Sequence, residues 1–177
     1  ELGELEGKFA ALNGIASILR VRGDLDGAMK QYEQSLKTYE RLGYLQGEAI
    51  TLNHMAQIYV TRGELGGAME LRRQSLEIYE GLGNLKGKSD TMNGIAQIYV
   101  RRGGLDEAMK LYQRSMEICE ELGDLKGKAT TLHGMANILY MRSNLDGAMK
   151  FYQQSLEINE QLGDQRDKAV ALHGMAN

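Results

Sequence analysis

Three histidines, one cysteine and a recurring set of amides and arginines are the side chains here whose chemistry could go beyond packing. His133 and His173 stand 40 residues apart. On parallel helices with axes about 10 Å apart they are too distant to share a metal ion without further ligands, and no Cys or carboxylate joins them in a short motif. His54 is offset from their register by one position. No metal and no cofactor are therefore expected. Cys119 takes the place held by Tyr39, Tyr79 and Asn159 and has no recurring His or Asp beside it to draw off its proton, so inertness is expected. No glycine-rich phosphate loop follows a strand, and no nucleophile–base pair or paired acid recurs in register, which argues against an enzyme. What does recur is amide chemistry. Asn13, Ser17 and Arg20, then Asn53 and Gln57, then Asn93, Gln97 and Arg101, then His133, Asn137 and Tyr140, and finally His173 and Asn177 occupy outward-facing places. An amide offers both a donor and an acceptor, so a ladder of them can pair with a peptide backbone with little regard to its side chains. Arg20 and Arg101 could add a bidentate grip on a carboxylate. The competing reading is a merely solvated polar face, which any exposed helix has; recurrence of amides at one register favours binding.

The elements that position these residues follow from a repeat. Leu2-Gly3, Leu42-Gly43, Leu82-Gly83, Leu122-Gly123 and Leu162-Gly163 recur every 40 residues without insertion, and residues 82–121 and 122–161 share 22 identities in 40. In the unit starting at Leu122, Ala129, Leu132, Met135, Ala136 and Leu139 fall at helical three-and-four spacing, and Leu145, Ala148, Met149, Tyr152 and Leu156 repeat the pattern. Two amphipathic helices per repeat follow. The expected first helices lie near residues 6–21, 46–61, 86–101 and 126–141, and the second helices near 25–41, 65–81, 105–121 and 145–161. Asp124 and Asn144 are N-cap candidates, with Asp24, Glu64 and Asn84 in corresponding places. Gly23, Gly63, Gly103 and Ser143 end the first helices, and Gly43, Gly83, Gly123 and Gly163 end the second. Arg22, Arg62, Arg102 and Arg142 sit in the last turns, where they favour the helix dipole more than they suggest a basic stripe. Gly7 with Gly14, Gly87 with Gly94 and Gly127 with Gly134 lie seven apart on one side of the first helix, a cost that calls for close approach of a neighbouring helix. The expected core contains Leu12, Ile15, Ala28, Leu52, Met55, Ala68, Met92, Ile95, Ala108, Leu132, Met135 and Ala148, with Met29, Met69, Met109 and Met149 as filler.

These residues resemble the tetratricopeptide repeat, whose signature is a small residue in the first helix facing an alanine, a large residue and another small one in the second. Ala16, Ala56, Ala96, Ala136 and Ala176 fill the first place, Ala28, Ala68, Ala108 and Ala148 the second, Tyr32, Tyr112 and Tyr152 the third, and Ser35, Ser75, Ser115 and Ser155 the fourth. The sequence departs from the usual pattern in its period of 40, in having no proline, and in Arg72 at a large apolar place. This longer form resembles the repeats of Leu-Gly-Asn spindle-orientation adaptors, kinesin light chains and many bacterial regulators. The resemblance implies an all-α, right-handed superhelical solenoid of antiparallel helix hairpins. Its first helices would line a concave groove that receives a peptide or partner helix, with the amide ladder as groove wall. One domain is expected over 1–177, with repeats 2–41, 42–81, 82–121 and 122–161 and a partial repeat 162–177.

The net charge of −3 gives no global reason to bind nucleic acid, and an RNA-binding repeat would want a basic groove with stacking aromatics. No apolar run reaches the ~20 residues a membrane span needs, and the single cysteine fits a reducing compartment, so a cytoplasmic protein is expected. The start without Met and the end inside a repeat suggest a piece of a longer chain. Leu172 and Met175 at one end, and Phe9 and Leu12 at the other, would leave apolar edges that could support self-association, the alternative being a structural solenoid with an empty groove.

Overall fold

The computed structural model describes residues 2–163, which form eight helices with no strand among the described residues. They are α1 (Leu2–Val21), α2 (Leu25–Leu42), α3 (Leu45–Arg62), α4 (Leu65–Gly81), α5 (Leu85–Arg101), α6 (Leu105–Leu122), α7 (Leu125–Met141) and α8 (Leu145–Gln161). The expected fifth first helix, with Leu172, His173, Met175, Ala176 and Asn177, lies outside the described residues, as does the Phe9 side chain. The chain divides into two compact units, Glu1–Gly83 and Asn84–Asn177. In the first, α1 packs on α2 and α3 on α4, and α3 also rests on α2 and α1. In the second, α5–α6 and α7–α8 pair likewise, with α7 resting on α6 and α5.

The caps set the helix ends. Asp24, Asn84, Asp124 and Asn144 each accept a hydrogen bond from the backbone N–H three residues on, at Gly27, Gly87, Gly127 and Gly147. Glu64 makes no such bond, and Tyr44 and Gly104 lead their helices without a side-chain cap. Every helix is followed by a left-handed residue, glycine at seven positions and Ser143 (φ 60°) at one. The last-turn arginines do more than face a dipole. Arg62 reaches Asp26 at the start of α2, and Arg142 reaches Asp106 at the start of α6, tying each first helix to the second helix before it.

Of the signature alanines, Ala16, Ala28, Ala56, Ala68, Ala96, Ala108 and Ala136 are wholly buried. Met55 and Ile58 of α3 join Ala16, Ala28, Met29 and Tyr32 in one cluster; Met135 and Ile138 of α7 join Ala96, Ala108 and Tyr112 in the equivalent one. Two expected core residues depart. Ile15 is 49% exposed, because Met55 and Met135 at its register are covered by the hairpin before them and no described hairpin precedes α1. Met149 is 39% exposed on α8, and no described helix follows it.

In α7 the spaced glycines face the neighbouring helix α6. A Cβ on Gly134 would meet the Tyr112 ring at 2.4 Å, and one on Gly127 would meet the Cys119 sulfur at 2.7 Å. The glycines thus let the neighbouring second helix come close through its side chains. At Gly7 and Gly14 nothing lies within 4 Å. A polar seam runs through the same contact. The hydroxyls of Ser75 and Ser155 donate to the carbonyls of Ala49 and Ala129 at 3.0 and 2.9 Å, and Ser89 and Ser115 share a bond of 2.7 Å. These four buried serine hydroxyls therefore have partners, as burial requires.

Candidate protein-binding site

Asn93, picked out as outward-facing, is buried. Its amide nitrogen donates to Thr131 Oγ1 at 3.0 Å, and the Thr131 hydroxyl also lies 3.2 Å from Asn93 Oδ1, joining α5 to α7. Asn13 points the same way in the first unit, donating to Thr51 Oγ1 at 3.4 Å. The register thus supplies interhelical clamps as well as surface groups. Residue i bonds residue i+38, and both threonines also donate to the carbonyl four residues back, at Gly47 and Gly127.

In the second unit, a pocket of about 380 Å³ brings four of the expected residues together, Gln97 and Arg101 from α5 with His133 and Asn137 from α7. Tyr112 of α6, Thr130 of α7, and Ser155 and Asn159 of α8 complete its polar wall, and Val100, Ala129 and Gly134 its apolar one. Tyr152 fixes two of these groups. Its ring packs against that of His133 with centroids 5.3 Å apart, and its hydroxyl donates to Asn137 Oδ1 at 2.5 Å. Tyr112 occupies the space Gly134 leaves. Burial pushes its phenol up to about 12, so it presents a neutral hydroxyl. Asn159 is 4% exposed, and its amide oxygen has no hydrogen-bond partner. The pocket therefore offers donors, acceptors and one guanidinium, which suits a peptide segment carrying an anionic group. Tyr140, 41% exposed on α7, is not part of its wall.

In the first unit Ser17 and Arg20 lie beside the buried hydroxyl of Tyr32, and Asn53 accepts from Arg72 Nη1 at 3.1 Å. The His54 ring packs on that of Tyr32, centroids 5.3 Å apart. Burial, with Arg20 and Arg72 nearby, holds the His54 imidazole below its ordinary pKa and so neutral. Gln57 is half-buried on α3. Cys119 is buried with its sulfur 3.2 Å from Ser89 Oγ. Among the described residues, no group of three His, Cys, Asp or Glu could hold a metal, and no helix is long and apolar enough to cross a membrane.

Sequence reasoning passed over Tyr112, Tyr152 and Asn159 as site residues, and likewise Tyr32, His54 and Arg72. Tyr112 and Tyr152 sit at positions it assigned to packing, and Asn159 it named only as the counterpart of Cys119. The last two carried a signal, since His54 replaces the glycine of Gly14, Gly94 and Gly134, and Arg72 replaces the tyrosine of Tyr32, Tyr112 and Tyr152.

The tetratricopeptide-repeat family profile matches residues 8–81 and 88–161. This chain belongs to the tetratricopeptide-repeat family. Repeats of this family generally mediate protein–protein interaction and typically form non-enzymatic scaffolds. No curated protein matches the sequence significantly. Among solved structures the repeats are similar to BtubC (BKLC) from P. vanneervenii, at 16% identity and a TM-score of 0.84, covering 99% of this chain and 73% of that one. They are also similar to a kinesin light chain protein of Podosopora anserina with nearly identical TPR-like repeats, at 15% identity and a TM-score of 0.73, covering 96% and 84%. A third is aspartyl phosphate phosphatase F from Bacillus subtilis, at 13% identity and a TM-score of 0.84, covering 93% of this chain and 43% of that one. At these identities the likeness shows the fold, an all-α solenoid of helix hairpins.

Proposed function

We propose that this chain is one repeat domain of a cytoplasmic scaffold or adaptor that binds a peptide or helix of a partner protein along its first helices. The observation that carries this reading is the pocket of about 380 Å³ in which Gln97, Arg101, His133 and Asn137 meet around a buried, unpartnered Asn159 amide oxygen. An unsatisfied buried acceptor costs roughly 1–3 kcal/mol, and a peptide N–H would remove that cost. The Arg101 guanidinium would hold an acidic side chain of the same segment. The test is selection of binding peptides from a random library on the intact chain, followed by calorimetry with Gln97→Ala and Arg101→Ala. Retained helicity with at least tenfold weaker binding is expected. Unchanged binding in both variants would remove the pocket from consideration.

A self-associating solenoid is the second reading, favoured by Ile15, Ile18 and Val21, which are 49%, 55% and 77% exposed on α1. A monomeric mass at high concentration, measured by light scattering, would exclude it.

A further inference from the structure

Three registers of the repeat are broken in the first unit, and the three exceptions meet in space. At the place of Val60, Val100 and Tyr140 stands Arg20; at that of Gly14, Gly94 and Gly134 stands His54; at that of Tyr32, Tyr112 and Tyr152 stands Arg72. Each exchanges an apolar, small or neutral residue for a basic one. The three belong to α1, α3 and α4, yet Arg20 and Arg72 both lie near His54, whose ring packs on Tyr32. The His54 ring lies 5.3 Å from the tyrosine ring, Arg20 lies beside its hydroxyl, and Arg72 is held from below by Asn53 Oδ1 at 3.1 Å.

Bringing two guanidiniums and an imidazole together without reason would cost stability through mutual repulsion. The charged groups acting on His54 are Arg20 and Arg72, with no carboxylate among them. The cluster also holds unspent hydrogen-bonding capacity. Tyr32 is 0% exposed and its hydroxyl forms no well-aligned bond, and the buried His54 Nδ1 has no partner. Two guanidinium groups match the planar or tetrahedral oxygens of an anion through paired N–H donors.

We propose that Arg20, His54 and Arg72, on a floor of Tyr32, form an oxyanion-binding site for a carboxylate or phosphoryl group carried by a partner protein. It lies in the first unit and does not depend on the pocket of the second, so it stands if the peptide reading of that pocket fails. Arg72 and Arg20 supply the charge, and the partly exposed edge of His54 completes the donor set. The other repeats carry no basic residue at these three registers.

The test uses the whole 177-residue chain at fixed ionic strength, with inorganic phosphate and N-acetylaspartate as separate probes. His54 is followed by NMR of its imidazole, with His133 of the other unit as internal control. The variants Arg72→Tyr and Arg20→Val restore the residues of the other repeats and should keep the helical circular dichroism, with Arg72→Gln as a milder version should either lose it. Expected is a saturable shift of the His54 resonances that leaves His133 unmoved and binding at least tenfold weaker in each folded variant. Saturation by phosphate alone would assign the site to a phosphorylated residue, and by N-acetylaspartate alone to an acidic one. Saturation by neither, an equal response at His133, or undiminished binding in the variants would overturn the proposal.

Discussion

At Asn93 an amide in an outward-looking register turns inward to Thr131, and its removal has a cost that removal of Gln97 does not share. Asn93→Ala strips α5 of its bonds to α7 and leaves a small void, an expected loss of about 1–3 kcal/mol. Gln97→Ala, at an exposed position, should change stability by under about 0.5 kcal/mol. Urea denaturation of the two variants separates clamp from surface group, and equal midpoints would contradict the assignment. His54 adds a dependence on pH. Its folded pKa lies below the 6.5 of the free side chain, so under pH 6.5 the unfolded chain takes up a proton that the folded chain refuses. Stability should be full above 6.5, fall as the pH drops below it, and level off once the lower folded pKa is passed. Melting curves from pH 7.5 to 5 should show that fall, with a shallower slope in His54→Gln.

At the scale of the helix, two glycines at one register should answer alanine with opposite signs. Gly14 has open space around it, so Gly14→Ala should stabilise by about 0.5–1 kcal/mol through helix propensity alone. Gly134→Ala would put a methyl 2.4 Å from the Tyr112 ring and should destabilise by about 1–3 kcal/mol as the ring is displaced. Thermal melts of the pair decide it, and a gain at Gly134 would mean that Tyr112 moves at no cost. This contrast also marks what the sequence could convey. Helix boundaries, caps and the alanine contacts were legible because they depend on neighbours a few residues away or one repeat away, and both repeat in the text. The tilt of Asn93 toward Thr131 and the insertion of Tyr112 over Gly134 were not, because periodicity gives the side of a helix and not the rotamer that chooses between solvent and the next helix. Of the residues lining the pocket, Gln97, Arg101, His133 and Asn137 had been named from the sequence, and those from second helices had not, because the inward side of those helices had been assigned to packing.

For the molecule as a whole, stability should follow how completely each apolar stripe is covered. Ile15 is 49% exposed on α1, while its counterparts Met55, Ile95 and Met135 are at most 9% exposed. Amide hydrogen exchange should therefore be fastest in α1 and slowest in α3, α5 and α7, because local opening of α1 exposes less new surface. Slower exchange in α1 than in α5 would show that something other than the described residues covers it.

The turns between helices have an evolutionary corollary. The N–H of Gly43 is bonded to the carbonyl of Glu40 and that of Tyr44 to Tyr39, and the same pair of bonds is made by Gly123 and Asp124 with Glu120 and Cys119. A turn that closes on its own backbone asks nothing specific of the hairpin on either side. A gene broken at one Leu-Gly and rejoined at another would encode the same turn, with 40 residues gained or lost and no junction to repair. The exceptions at Arg20, His54 and Arg72 would be parted by such an exchange, and the proposed anion site needs all three. Unequal recombination can thus lengthen this protein freely, while a functional cluster spread over adjacent hairpins must be inherited as a block.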